Sequence, residues 1–353
     1  VSRISPFSVI LAALTLALSA CESTDSLSPM PSRRYVFIRN GVDASKPCLI
    51  AKLAEVPVRI IHGTALVPVV VNGVGTVGVL DTGAEMTIMT PAMAAAAKIT
   101  IDPKQHLRHA EGIAGVFDAP AAMAKTLQIG HLMLNPPPVL DVFNFVNSRN
   151  TTIGIQVGGN SIDGLDWDLD FQHGLMTSYR TRNCHDIDPL WDTKSTGLPL
   201  RRGMNPAFAT VAGILGLPMN VTVPVQFDGG IVNAVFDTGS MYSMLSLRAA
   251  HWLGITNKAL ARDPEQDIAA IDQTKIRARR HIIPNVFIGE SPERDFMVYV
   301  PEIANKGDPL EMILGMDWIA THRLWLSYTT DSLYIDSGEK KPAAWKPAPK
   351  LPS

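Results

Sequence analysis

Residues 67–99 recur without a gap as residues 223–255. The segment VPVVVNGVGTVGVLDTGAEMTIMT lies over VPVQFDGGIVNAVFDTGSMYSMLS, sharing the Val-Pro-Val start, a turn glycine (Gly73 and Gly229), the valine two residues before the acid, and all of Asp-Thr-Gly. A chance tripeptide recurs without its flanks. The two acidic motifs are therefore equivalent parts of a duplicated unit, and a repeat of this kind decides the architecture before any single element does.

Each copy reads the same way. Apolar β-rich runs on either side of Asn-Gly or Asp-Gly form a hairpin; Asp-Thr-Gly makes a tight loop, and another alternating strand follows. Candidate helices come next, PAMAAAAKI and SLRAAHWLGI, then strands ending in turns, TLQIG and NVFIG. Both halves then reach a Gly-x-Asp-Trp, SIDGLDW at 161–167 and MILGMDW at 312–318, and close with DFQHGLMTSY and LWLSYTTDSLYI. This gives two mostly β lobes at 57–180 and 216–336, joined by a polar connection at 181–215. A tether and N-terminal arm at 21–56 and a flexible tail at 337–353 complete the expected organisation.

With 353 residues, 46% hydrophobic and 18% charged, the chain can fill two cores and is not of disordered composition. A net charge of −2 gives no concentrated basic face, so no nucleic acid partner is expected. The apolar run ISPFSVILAALTLALSAC is too short for a stable membrane span and reads as a signal peptide over 1–20. Its end, LSAC, resembles the bacterial lipobox, which would make Cys21 the lipidated first residue of the mature protein. The rivals are an ordinary secretory signal with an incidental cysteine, or a buried apolar segment. The lipobox reading implies a lipid anchor to a membrane in the bacterial cell envelope, expected to be the outer membrane facing the periplasm. Cys48 and Cys184 then remain, and an oxidising compartment would allow them to form a bridge; two separate buried thiols are the alternative.

A lone Asp in a turn is usually structural, capping backbone N–H groups. Two copies related by duplication can meet at a pseudo-twofold axis, with Asp81 beside Asp237. Close carboxyls share one proton, so one serves as base toward a water while the other, as acid, hydrogen-bonds a scissile carbonyl. Thr82 and Thr238 are expected to lock the loops through their hydroxyls, while Gly83 and Gly239 allow close backbone approach. Ala84 stands opposite Ser240; a hydroxyl there would favour the ionised acid, so the asymmetry is expected to make Asp237 the base. Both carboxyls come from one polypeptide, so the expected active form is a monomer acting on a peptide or protein substrate.

These residues resemble the aspartic protease superfamily, and more narrowly a single-chain tandem of retropepsin-like lobes, over about residues 57–336. The resemblance implies an all-β fold of two retropepsin-like β-barrel lobes related by a pseudo-twofold axis, with short helices. It also implies an aspartic endopeptidase that needs no metal and no cofactor. In the family, a hydrophobic-hydrophobic-Gly segment braces each active-site loop, here Ile313, Leu314 and Gly315. The first-lobe counterpart is expected at Ile162 and Gly164, with Asp163 in place of the second hydrophobe. Six residues fewer between Gly164 and DF than between Gly315 and SY imply a loss of about a turn and a half of helix. A flap would fall at Gly112, Ile113, Ala114 and Gly115, with DIAAIDQ at the matching place in the second lobe. The degenerate first-lobe brace leaves a rival, a catalytically silent peptide-binding or structural envelope lipoprotein with the same fold.

Other motifs fail on context. GVGTVG at 73–78 fits a dinucleotide fingerprint but no helix follows. DGLDWDLD at 163–170 lacks the glycine of a calcium loop and reads as a solvated turn. HLRH at 106–109 has no further ligand set nearby and reads as surface or flap-side.

Overall fold

The Asn72-Gly73 turn has both residues at positive φ, 48° and 82°, the twist that matches right-handed strands. It joins strands Thr64–Val71 and Val74–Leu80, paired from Leu66↔Val79 to Val71↔Val74. The second copy repeats this with Val221–Phe227 and Gly230–Phe236, paired from Thr222↔Val235 to Phe227↔Gly230. After each acidic loop comes a short strand, Thr87–Met89 or Met244–Leu245, and then a capped helix. Thr90 accepts from the Met93 amide to start helix Pro91–Ala96; its equivalent Ser246 accepts from Ala249 to start Leu247–Trp252. Both helices end in the same way. Lys98 N donates to Ala95 O and Ile99 N to Ala94 O, as Gly254 N does to His251 O and Ile255 N to Ala250 O, so each closes in a Schellman motif.

The computed structural model describes residues 45–101, 107–112, 115–143, 153–202, 221–269, 275–302 and 310–341. The signal peptide, Cys21 and most of the tether lie outside these residues. So do Ile113 and Ala114 at the flap tip, residues 270–273 of DIAAIDQ, and the part of the connection from 203 onward.

Each repeat folds into its own curved sheet. In the first lobe the strand order is Leu107–Gly112, Gly115–Met123, Val139–Val142, Thr87–Met89, Ile153–Val157, Val74–Leu80, Thr64–Val71, Leu127–Ile129, Leu132–Leu134, with Arg59–Ile61 also on Thr64–Val71. In the second it is Arg201–Arg202, Val221–Phe227, Gly230–Phe236, Met312–Leu314, Met244–Leu245, Ser291–Pro301, Lys275–Ile288, Glu265–Ala269. Val221–Phe227 also pairs with Lys275–Ile288, which closes the second sheet on itself. Inward positions are apolar, as in Val67, Val69 and Leu80 or Val223, Val225 and Phe236, all fully buried.

A third sheet joins the lobes. Its order is Leu49–Pro57, Leu175–Arg182, Asp166–Asp170, Leu324–Ser327, Ser332–Lys340, Thr193–Pro199, three strands from each half. The two middle strands run antiparallel, from Asp166↔Ser327 to Leu169↔Leu324, so the pseudo-twofold axis passes between them. Trp167, Leu169, Trp325 and Leu326 are buried there.

This sheet changes several sequence expectations. Residues 49–56, assigned to the arm, and residues 193–199, assigned to the connection, are its outermost strands, each hydrogen-bonded to the closing strand of its own half. Residues 337–340, assigned to the tail, continue the strand Ser332–Lys340. The acidic run 163–170 is not a solvated turn. Asp166 is wholly buried, accepting from Ser327 Oγ (2.9 Å) and the Thr329 amide (3.1 Å). Asp168 holds Arg323 bidentately at 3.1 and 2.8 Å. Alternation on a central strand put these carboxylates inside, and the other half supplies their partners. Cys48 and Cys184 are joined as a disulfide at the end of the Leu49–Pro57 and Leu175–Arg182 pair.

Candidate active site

The parallel strand beside each acidic loop fixes where the loop begins. In the second lobe Val235 pairs with Ile313 and Phe236 with Leu314, after which Asp237 N donates to Leu314 O at 3.0 Å. In the first lobe Val79 pairs with Gln156 and Leu80 with Val157, and Asp81 N donates to Val157 O at 2.9 Å. The first-lobe brace is therefore Gln156, Val157 and Gly158, not Ile162 and Gly164.

The glycine of each brace lies against the chain just past the acidic loop. A Cβ at Gly158 would come 2.3 Å from Met86 O, and one at Gly315 would come 2.5 Å from Tyr242 O; only glycine fits. A hydroxyl then ties brace to loop. Gly158 N donates to Thr87 Oγ1 (3.0 Å) and Thr87 Oγ1 to Asn160 Oδ1 (2.7 Å); Gly315 N donates to Ser243 Oγ (3.1 Å) and Ser243 Oγ to Asp317 Oδ1 (2.7 Å). Amides of the following helix turn continue the match, Gly159 to Ala84 O and Met316 to Ser240 O.

No helix is missing from the first lobe, since Gly159–Ile162 and Met316–Ile319 each have four residues. Ile162 is buried inside that helix and Gly164 follows it at φ 81°. The two Gly-x-Asp-Trp motifs are not equivalent. Trp167 lies on the inter-lobe strand and Trp318 in a helix. Thr87, Gln156, Val157, Gly158, Asn160, Ser243 and Asp317 were not singled out from sequence. The signal was present as IQVGGNSI against MILGMDWI, one residue out of step with the earlier offset.

The braced loops interlock across the axis. Thr82 N donates to Thr238 Oγ1 at 3.1 Å and Thr238 N to Thr82 Oγ1 at 3.0 Å. Each hydroxyl donates in turn to the opposite strand end, Thr82 Oγ1 to Phe236 O (2.6 Å) and Thr238 Oγ1 to Leu80 O (2.9 Å). Both threonines are buried and fully paired.

This grip sets the two carboxyls together. A Cβ on Gly83 would lie 2.4 Å from Asp237 Cγ, and one on Gly239 would lie 2.3 Å from Asp81 Cγ. Each acid thus packs on the other loop's glycine. Asp81 Oδ1 accepts from the amides of Gly83 (3.0 Å) and Ala84 (2.9 Å), and Asp237 Oδ1 from those of Gly239 (2.8 Å) and Ser240 (3.2 Å). Burial pushes both carboxyls above their ordinary range; in Asp81 the charge of Asp237 adds to it, and the loop amides offset part. Ser240 Oγ donates to Tyr242 O at 2.8 Å, not to Asp237. The Ala84/Ser240 asymmetry therefore does not act through a hydroxyl on the acid.

At one edge of its sheet the first lobe presents the hairpin Leu107–Gly112 and Gly115–Met123, with Gly112 opposite Gly115. The second lobe presents Glu265–Ala269 against Lys275–Ile288 at the corresponding edge. Of the expected flap residues, Gly112 and Gly115 are the hairpin's last described pair. Among the described residues no cluster of three or more His, Cys, Asp or Glu is arranged to hold a metal.

No curated protein matches the chain. Among solved structures, it is similar to the crystal structure of an aspartic proteinase from Irpex lacteus, with 13% identity, 80% of this chain and 96% of that chain covered, and a TM-score of 0.47. The sequence pattern described as aspartyl protease matches twice, at residues 67–165 and 223–318, together more than half of the chain. Each match contains one braced acidic loop, and the chain belongs to the aspartyl protease family.

Proposed function

We propose that the protein is an aspartic endopeptidase in which Asp81 and Asp237 together activate a water for attack on a peptide bond. The observation that carries this reading is the pair of carboxyls held over each other's glycines by the reciprocal threonine grip. Two partly buried acids so close retain one proton between them over a range of pH. The ionised member accepts a proton from the water while the protonated member hydrogen-bonds the substrate carbonyl. The tetrahedral diol then collapses as the amide nitrogen takes up a proton. Both acids belong to one chain, so the monomer is the active unit.

The substrate is an extended peptide. Hairpins at the edge of both lobes offer backbone groups to a strand laid across the loops, with apolar side chains preferred on either side of the scissile bond. The silent peptide-binding reading rested on a degenerate first-lobe brace; the strand register and close-packed glycine of Gln156–Gly158 support the catalytic reading over it. The envelope location and the lipid anchor at Cys21 remain part of the proposal. They are supported by the LSAC sequence and by the Cys48–Cys184 disulfide, which suits an oxidising compartment.

A peptide whose scissile amide is replaced by a hydroxymethylene group mimics the diol. It is expected to bind about 100-fold or more tightly than the parent peptide, and to lose that advantage in Asp81→Asn and Asp237→Asn. Equal affinity for the two ligands in the native protein would contradict hydrolysis at this site.

A further inference from the structure

The two braces differ at one position that faces the dyad. Ile313 stands beside Val235 in the second lobe, whereas Gln156 occupies the same place beside Val79. Gln156 is 3% exposed, and its Nε2 donates to Asp81 Oδ2 at 2.5 Å. The loop amides of Gly83 and Ala84 reach only Oδ1. Asp81 therefore has both oxygens engaged. The side chain of Ile313 offers Asp237 no such donor.

A buried amide aimed at a carboxylate is costly unless that bond is made. A purely packing role at this strand position is filled by isoleucine in the other lobe. We propose that Gln156 is a positioning residue of the dyad, fixing the direction of Asp81 Oδ2 and keeping the pair's shared negative charge in place as the medium becomes more acid. A donor to the charged form opposes the burial and the neighbouring charge that act against it. Titratable groups on the elements packed here are Asp237, across the axis, and Glu85, Tyr242 and Asp317 along the loops and the second-lobe helix. The Gln156 strand and its partners Val74–Leu80 and Thr87–Met89 carry none.

The kinetic part of this inference rests on the endopeptidase reading, so two readouts are needed. In Gln156→Leu and Gln156→Met, both near-isosteric and apolar, the acid limb of kcat/KM for peptide cleavage is expected to move up by about one pH unit. The carboxyl ¹³C titration of the dyad should move the same way. Acid limb and titration unchanged in both Gln156 variants would overturn the inference, as would a uniform loss of kcat/KM at every pH, which is what a packing defect alone gives. A ¹³C titration shifted in both Gln156 variants, with a native protein that cleaves no peptide, would instead uphold Gln156 and sink the endopeptidase reading.

Discussion

Two partly buried acids, Asp81 and Asp237, are brought together by the fold against their electrostatics. Their folded pKa values are raised by burial above the ordinary 3.8. A raised acid contributes stability below its unfolded pKa and loses it as pH rises through the folded value, because the unfolded chain then releases the proton more readily. Asp81→Asn or Asp237→Asn removes that cost. Either variant should therefore melt a few degrees above the native protein at pH 7, with the gap closing as pH falls below the ordinary carboxyl value; calorimetry across that range measures it. The acids and threonines were legible because Asp-Thr-Gly is a local signature repeated in a matching frame. Gln156 was not, since nothing in IQVGG tells which strand it joins or what its side chain meets.

At the element scale the repeat is reproduced down to its helix ends, with one local conflict. Lys98 holds φ 54° where its equivalent Gly254 holds 84°, and both sit at the position after the helix that favours glycine. Lys98 is exposed and closes the same Schellman motif. Lys98→Gly relieves the left-handed strain at some cost in unfolded-chain entropy, and should stabilise the protein by about 0.5–1 kcal/mol in denaturant titration. Hairpins, helices and loops were legible from turn and capping residues. The first-lobe brace was misplaced because a second Gly-x-Asp-Trp at 164–167 imitates the one at 315–318. That imitation falls on a strand of another sheet, where Trp167 donates its indole N–H to Ile162 O. Sequence similarity of four residues lost to hydrogen-bond register.

For the whole molecule, the inter-lobe sheet is what turns two similar barrels into one site. Arg202, on the short second-lobe strand Arg201–Arg202, donates to Asp163 of the first lobe and to Asp331 and Tyr328 O of the second. Arg323 reaches back to Asp168. These partly buried pairs tie the lobes to each other, alongside the threonine grip that sets the two acids together. The sequence announced two lobes and their symmetry but not this sheet. Its edge strands, LIAKLAEVP and TKSTGLP, carry little alternation, and its central acids are paired only by the opposite half. The central claim is that both halves supply one carboxyl each to a single hydrolytic site. It is tested most directly by incubating the native protein, Asp81→Asn and Asp237→Asn with a diverse peptide pool between about pH 3 and 7, the span in which such a pair shares a proton, and reading new termini by mass spectrometry. The account predicts cleavage by the native protein and none by either variant; cleavage that survives in one variant, or is absent from a folded native protein at every pH, would contradict it.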